Sequence, residues 1–464
     1  MRSVRITDIT IESFKNVRHG DICLINKRKN YNSSILGMYG QNGSGKTALI
    51  DAIALLKLVL CGNAVPAKYA DFINVDATHA KFCFQFKMNS ENGNYDIWYE
   101  FSLGREYDDT LVNMEGTGSP IQIKPQIYSE VLSYSLSSND GNVIRKSVLI
   151  DTSKDAVFLP QNKYRELIGD SSEEEMRFNK KYIRTTSRPF IFSREMINTF
   201  RKKCKNTYYN DVIEGLLLFG NRDLFIINTE NSGLISLNAL PISFKYREKQ
   251  AESSGNLMLP LNIPAFFPMD AHLLVLKLIE NMNIVLDHVI PGLTISVKEL
   301  GDVVSQDGKP GRMIQLMSLK NGKEIPFQYE SEGIKKIVSI LQLLIGVYNN
   351  PSITVAVDEL DSGIFEYLLG EMLHIISEKG KGQLIFTSHN LRPLETLDKG
   401  FIAFTTTNAE NRYIRMQNVK GNNNLRDFYY RDIVLGEQKE KVYESTNNYE
   451  IALAFREAGD ALGS

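Results

Sequence analysis

Gly40-Gln41-Asn42-Gly43-Ser44-Gly45-Lys46-Thr47 decides the reading of this chain. The stretch matches GxxxxGK[ST] in full, and both flanks supply the context that the pattern needs. An apolar run from Ile35 to Tyr39 precedes it. An amphipathic stretch from Lys46 to about Leu60 follows, with Leu49, Ile50, Ile53, Leu56 and Leu60 on one side and Gly62 as a stop. Strand, glycine loop and helix in that order make a phosphate cradle. Glycines let the backbone N–H groups turn inward around a β-phosphate, Lys46 brings charge to the β and γ oxygens, Thr47 offers a hydroxyl to Mg²⁺, and the helix N-terminus adds a favourable dipole. A chance glycine turn beside a stray lysine would have neither flank. The expected nucleotide-binding set is therefore Gly40, Asn42, Gly43, Ser44, Gly45, Lys46, Thr47 and Ala48, with ATP and Mg²⁺ as ligands.

A second segment belongs with the first. Ile353-Thr354-Val355-Ala356-Val357-Asp358-Glu359 is a buried-strand pattern ending in two carboxylates. Beside a phosphate loop, Asp358 is expected to hold Mg²⁺, and Glu359, one residue further from the strand, to polarise an attacking water. A third short strand, Gln383 to Thr387, ends in Ser388-His389-Asn390. A lone histidine is usually structural, and what sets His389 apart is its place in the order strand, Asp-Glu, helix, strand, His.

Between these lies Tyr329-Glu330-Ser331-Glu332-Gly333-Ile334-Lys335-Lys336, which leads into an amphipathic helix through Ile337, Ile340, Leu341 and Leu344. The order of phosphate loop, insertion, Ser-x-Gly at a helix start, Asp-Glu, Leu360-Asp361 and His389 resembles the ABC-type ATPases of the SMC and OLD (overcoming lysogenization defect) lineage. More narrowly, SFKNV, YGQNGSGKTALIDA, ESEGIKK, VDELDSGIFEYLL and FTSHN resemble stand-alone ATPases of bacterial anti-phage and abortive-infection systems, such as the AbiL, Septu and PARIS ATPase subunits. The resemblance implies that His389 contacts the γ-phosphate, and that Ser331 and Gly333 of one protomer reach the γ-phosphate held by Lys46 of another, in a homodimer or higher homo-oligomer. Glu332 departs from the transporter form of this signature, where a glycine is usual. An ordinary serine helix cap is the plainer alternative for Ser331. The glutamine that such enzymes carry between the two halves has three candidates here, Gln122, Gln126 and Gln161.

The implied fold class is α/β: an ABC-ATPase (P-loop NTPase) core with a flanking antiparallel sheet and an inserted helical domain. Residues 81 to 103 alternate around Asn92-Gly93-Asn94, a hairpin signal for that sheet. From about 155 to 290 the texture turns to mixed-charge helical segments, one of them opening on a Ser172 to Glu175 capping box. A helix is expected from about Asp270 to His288, and strands around Asp307-Gly308 bring the chain back. The expected divisions are 1–150 for the N-terminal part of the core, 151–290 for a helical insertion, 291–420 for the C-terminal part of the core, and 421–464 for a tail. That tail carries Phe428, Tyr429, Tyr430, Tyr443 and Phe455 for packing or assembly.

Bulk properties exclude some classes. Among 464 residues, 53 are basic and 55 acidic, so no global field draws the chain to nucleic acid or an anionic membrane. Arg201-Lys202-Lys203 with Lys205, Tyr208 and Tyr209 is most simply a solvated basic helix face. Four cysteines without a CxxC pair fit neither a disulfide framework nor a zinc ribbon, and with no apolar stretch long enough for a membrane the expected location is cytoplasmic. The functional expectation is a regulatory ATPase of an anti-phage defence system that senses a phage-derived trigger and controls a separately encoded effector, such as a Toprim or HNH nuclease. The alternative is an SMC-like DNA-repair or chromosome-maintenance ATPase. A self-contained OLD-type nuclease would need a DxD metal pair, which the sequence lacks, and a transporter subunit suits the long insertion least.

Overall fold

The computed structural model describes residues 2–27, 31–107, 123–169, 172–248, 251–305, 307–417, 424–436 and 438–461. The chain opens with β1 (Ser3–Phe14), β2 (Val17–Cys23) and β3 (Ser34–Tyr39), then α1 (Lys46–Leu60) and the short α2 (Lys68–Asp71). Four long strands follow, β4 (His79–Ser90), β5 (Gly93–Tyr107), β6 (Ile123–Ser138) and β7 (Val143–Asp151). Next come the helices α3 (Gln161–Ile168), α4 (Glu173–Thr185), α5 (Arg194–Lys203) and α6 (Thr207–Leu218). Then β8 (Leu224–Ile227), α7 (Thr229–Ser236), β9 (Ala239–Glu248), β10 (Ala251–Pro260), β11 (Ala265–Pro268), α8 (Met269–Val289), β12 (Leu293–Val304), β13 (Pro310–Lys320) and β14 (Lys323–Pro326) lead to α9 (Glu332–Asn349). The last third holds β15 (Thr354–Val357), α10 (Glu366–Lys379), β16 (Gln383–Thr387), α11 (Pro393–Thr396), β17 (Ile402–Thr405), β18 (Tyr413–Ile414), α12 (Leu425–Leu435) and α13 (Asn448–Ala461).

Two six-stranded sheets organise these elements. One is antiparallel in the order β2-β1-β4-β5-β6-β7, and the other runs β18-β17-β3-β16-β15-β8 with every pair parallel except β18 on β17. A parallel sheet must be covered on both faces, so its strands read as unbroken apolar runs. Leu36, Met38, Ala356 and Ile385 point to one side, into a core shared with α1 and the antiparallel sheet. Ile35, Tyr39, Val355, Val357, Leu384 and Phe386 point to the other, into a core shared with α8, α9 and α10. Helix α1 is wedged between the sheets, which is why 11 of its 15 residues are buried.

The local expectations for α1, the Asn92-Gly93 hairpin and the helix near 270–288 match elements of the fold, and Ser172 caps α4 by accepting from Glu175 N at 3.4 Å. The stretch 151–290 differs from the helical insertion expected of it. Helices α3 to α6 are there, but β8 runs parallel to β15 as an edge strand of the core sheet, with Leu224 opposite Thr354. The hairpin of β9 and β10 and the strand β11 follow before residue 291. Leu224-Phe225-Ile226-Ile227 is a fully paired strand of four residues, too short to display any period. The chain thus returns to the core at β8.

Candidate functional site

In a parallel sheet the C-terminal strand ends converge where neighbouring connections diverge, and polar groups collect there. Here β3, β16 and β15 lie side by side. Their C-terminal ends deliver the glycine loop, Thr387 with His389, and Asp358 with Glu359. These residues, with Lys15 and Asn16 from the turn after β1, line a cavity of about 430 Å³.

The loop is shaped by residues that no Cβ-bearing replacement would suit. Gly40 has φ +150°, and a Cβ there would sit 1.8 Å from Thr405 Oγ1. Gly45, the residue before α1, is left-handed at φ +96°. Ser44 Oγ donates to Gln41 O at 2.6 Å and lies 2.5 Å from Thr405 Oγ1, while the Tyr413 hydroxyl donates to Gly45 O at 3.0 Å. Strands β17 and β18 therefore hold the loop from behind. Lys46 is 7% exposed, and its ammonium donates to Gly40 O at 2.7 Å and Gln41 O at 2.9 Å. Burial pushes its pKa down, against the opposing pull of Asp358, Glu359 and Asp361. A cation held under this tension between loop carbonyls gains by pairing with an anion in the cavity.

Asp358 is fully buried at the end of β15. One carboxylate oxygen accepts from Thr387 Oγ1 at 2.6 Å, and the other has no hydrogen-bond partner. Thr387 Oγ1 in turn accepts from Glu359 N at 2.8 Å. A buried carboxylate oxygen left without a donor suits a hard cation, which prefers oxygen ligands. Asp358 and the Thr47 hydroxyl would hold Mg²⁺ there. Glu359 is exposed and sits at φ +48°, a conformation that non-glycine residues adopt at a cost of order 1 kcal/mol. His389 is exposed as well, and its N–H and that of Asn390 donate to Asp361 Oδ2 at 3.1 and 2.9 Å. The aspartate after the Asp-Glu pair thus fixes the turn that carries the histidine.

Of the expected residues, Asn42 to Ala48, Asp358, Glu359 and His389 line one cavity, with Gly40 at the base of the loop. Ser331 and Gly333 do not. Ser331 is exposed and caps α9, its Oγ accepting from Ile334 N at 3.3 Å. Gly333 packs against the chain after Asp361, where a Cβ would come within 2.0 Å of Gly363 O. Gly333→Ala is accordingly expected to cost about 2 kcal/mol or more of stability. Equilibrium denaturation measures this, and a loss below about 0.5 kcal/mol would show that the contact yields. Gln122 lies outside the described residues. Gln126 sits in β6 at 3.5 Å from Glu106, and Gln161 is exposed at the start of α3, so neither lines the cavity.

Sequence reasoning gave no role to Lys15 and Asn16, Thr387, or Arg412 and Tyr413. Lys15 pairs with Asp51 of α1, and Asn16 Nδ2 donates to Gly43 O. Arg412 Nη2 donates to Asn16 O at 2.6 Å, closing a ring around the loop. SFKNV and FTSHN stood out as motifs, but only contacts show which of their side chains touch the site. The tail also reaches the loop, because Glu444 N donates to Gln41 Oε1 at 2.7 Å. Phe428 and Tyr429 are buried, whereas Tyr430 and Phe455 are exposed.

Strand order, glycine loop and paired carboxylates give an α/β core of the P-loop kind, with an antiparallel sheet against its first helix. A family model described as "AAA domain" matches residues 8–210. Among solved structures, the chain is similar to an Smc head bound to the C-winged helix domain of ScpA, with 11% identity and TM-score 0.42 over 89% of this chain and 98% of that one. It is also similar to the SMC head domain from Thermotoga maritima, with 14% identity and TM-score 0.37 over 89% and 99%. A third is the recombination mediator protein RecF of the RecFOR pathway, with 10% identity and TM-score 0.36 over 88% and 98%. No curated protein matches. Among the described residues, no helix is long and apolar enough to cross a membrane.

Proposed function

We propose that the chain binds ATP with Mg²⁺ and hydrolyses it, as a homodimer or larger homo-oligomer in which Ser331 and Gly333 of one copy complete the site of another. The observation that supports this most directly is the single cavity bounded by Lys46, Thr47, Asp358, Glu359 and His389. The loop N–H groups and the Lys46 ammonium bind the β and γ phosphates, Glu359 takes a proton from the attacking water, and the His389 side chain donates to a γ oxygen. Bound between Thr47 and Asp358, Mg²⁺ would screen the phosphate charge.

Two substitutions test these roles. Asp358→Ala should weaken Mg²⁺-dependent nucleotide binding by at least about tenfold. Glu359→Gln should keep binding within a few-fold and slow turnover by on the order of 10² to 10³. Nucleotide binding by calorimetry beside phosphate release separates them, and equal loss of binding in both would overturn the assignment.

In the same proposal the ATPase regulates a defence system, responding to a phage-derived trigger and controlling a separately encoded effector. This part rests on the motif set, and the alternative, an SMC-like repair or chromosome-maintenance ATPase, uses the same site chemistry. The insertion folds back in short helices and hairpins, with α8 at 21 residues the longest described helix, and this fold suits either reading. Co-purification with the product of a neighbouring nuclease or toxin gene, and release of that product on infection, would bear the regulatory role out. Constitutive recruitment to broken DNA in its place would favour the alternative.

A further inference from the structure

A second cavity, of about 480 Å³, lies between β6, the 152–155 loop, α4 and the chain leading into Phe190. It shares no lining residue with the phosphate-loop cavity. Its charge is lopsided. Lys154, Arg177, Lys180, Lys181, Arg184 and Arg188 line it against two acids, Glu130 and Asp155, a local balance of six minus two, or +4, in a chain of formal net −2.

Helix α4 concentrates that charge. Arg177, Lys180, Lys181 and Arg184 stand at i, i+3, i+4 and i+7, which is one helix face, while Met176 and Ile183 bury the adjacent one. Like charges at i and i+4 repel, so the pairs Arg177 with Lys181 and Lys180 with Arg184 each cost the isolated helix a few tenths of a kcal/mol. Some of these cations are already engaged. Lys180 donates to the carbonyls of Thr152 at 3.0 Å and Ala156 at 2.8 Å, tying α4 to the loop, and Arg177 pairs with Glu173 at 2.9 Å. The acid in the wall is engaged too, because Glu130, 1% exposed, accepts from Tyr99 Oη at 2.7 Å and from the N–H groups of Phe190 and Ile191. Lys154, Lys181 and Arg188 have no acidic partner among the described residues. Arg184 lies over the Tyr128 ring, with 5.7 Å to its centroid, so a cation and an aromatic face meet in the same wall.

A concave site of this size accepts a small unit rather than a flat protein surface. Clustered arginines and lysines recognise phosphate oxygens, the guanidinium fork doing so bidentately. Tyr128, Ile127, Ile183 and Phe190 offer a base something to lie against. We propose that this cavity binds the phosphates and base of a nucleotide unit, supplied either by a free nucleotide or by the end of a nucleic-acid strand. The inference stands apart from ATP binding at the phosphate loop.

The test uses the full chain and fluorescence anisotropy of a short single DNA strand with a 5′ phosphate and a 3′ fluorophore. Lys181→Glu, Arg184→Glu and Arg188→Glu are combined in one variant. A second variant carries the same change of charge on an exposed face elsewhere, at Lys202, Lys203 and Lys205. The wild type should bind with an affinity that falls with salt, the cavity variant should lose roughly thirtyfold or more, and the control should stay within about threefold. Displacement of the strand by thymidine 5′-monophosphate identifies a free nucleotide as the source, and displacement only by longer strands identifies a strand end. If the melting temperature of the triple variant falls, Lys181→Gln with Arg188→Gln is measured instead, with about a tenfold loss expected. No binding by the wild type, equal loss in cavity and control variants, or unchanged binding by the glutamine variant would each overturn the proposal.

Discussion

Lys46→Ala is expected to abolish ATP hydrolysis, by on the order of 10³-fold or more, while leaving the protein folded. The catalytic loss follows from position. Lys46 is the cation in the loop wall, and nothing else among the loop residues 40–47 carries positive charge. In the structure its ammonium donates to the carbonyls of Gly40 and Gln41, which holds it where the phosphates would lie. The stability cost should be small, within about 1 kcal/mol, because two hydrogen bonds of the loop are lost but a cation disfavoured by burial is removed with them. The depressed pKa of Lys46 points the same way, since it reports that the folded environment penalises the charged form. Phosphate release beside a thermal melt measures both. Wild-type turnover would sink the loop assignment, and a melt lowered by more than about 10 °C would show that the lysine belongs to the fold as well as to the site.

Much of this site was legible because its residues sit at the ends of periodic elements. The run Ile35 to Tyr39, the glycines and the stripe from Leu49 to Leu60 each follow a local rule, and β3 and α1 fall where those rules put them. Asp358 and Glu359 were legible for the same reason, as the polar end of an apolar strand. What escaped is whatever depends on a partner distant in sequence. Thr387 reads as the last residue of a strand, and only the packing of β16 against β15 makes its hydroxyl the brace of Asp358. Asn16, Arg412 and Tyr413 are single polar residues whose role comes from three segments meeting behind the loop. Strand β8 is four apolar residues in a stretch dominated by helices, so nothing local revealed that it extends the core sheet. The basic cavity was hidden by composition. The three glutamates at the start of α4 make the helix look balanced, while the partition of charge between faces and the contributions of Lys154 and Arg188 from loops appear only in three dimensions.

The other large effect expected is that one chain alone does not hydrolyse ATP. Within a protomer, Ser331 and Gly333 lie outside the cavity that holds Lys46, and both faces are open. Glu359 and His389 are exposed on one side. Around Ser331, Tyr329 and Phe365 are each 71% exposed. The start of α9 presents backbone N–H groups and the Ser331 hydroxyl, with Glu332 in its first turn and Ser331 Oγ accepting from Ile334 N. In the proposed dimer, a γ-phosphate bound at the loop of one copy would take donors for its outer oxygens from the α9 N-terminus of the second. Glu359→Gln should therefore accumulate an ATP-dependent dimer or larger symmetric assembly, visible by mass photometry, because the nucleotide that joins the copies is not consumed. Ser331→Arg should bind ATP and fail to hydrolyse it. Mixing Ser331→Arg with Lys46→Ala discriminates further, since a mixed dimer has one site with both lesions and one with neither. Random pairing makes half of all dimers mixed, so activity should recover to about a quarter of wild type. If the mixture stays as dead as its parents although mixed dimers form, either the two sites must fire together or Ser331 is only a helix cap. Normal hydrolysis by Ser331→Arg alone would refute the shared site outright.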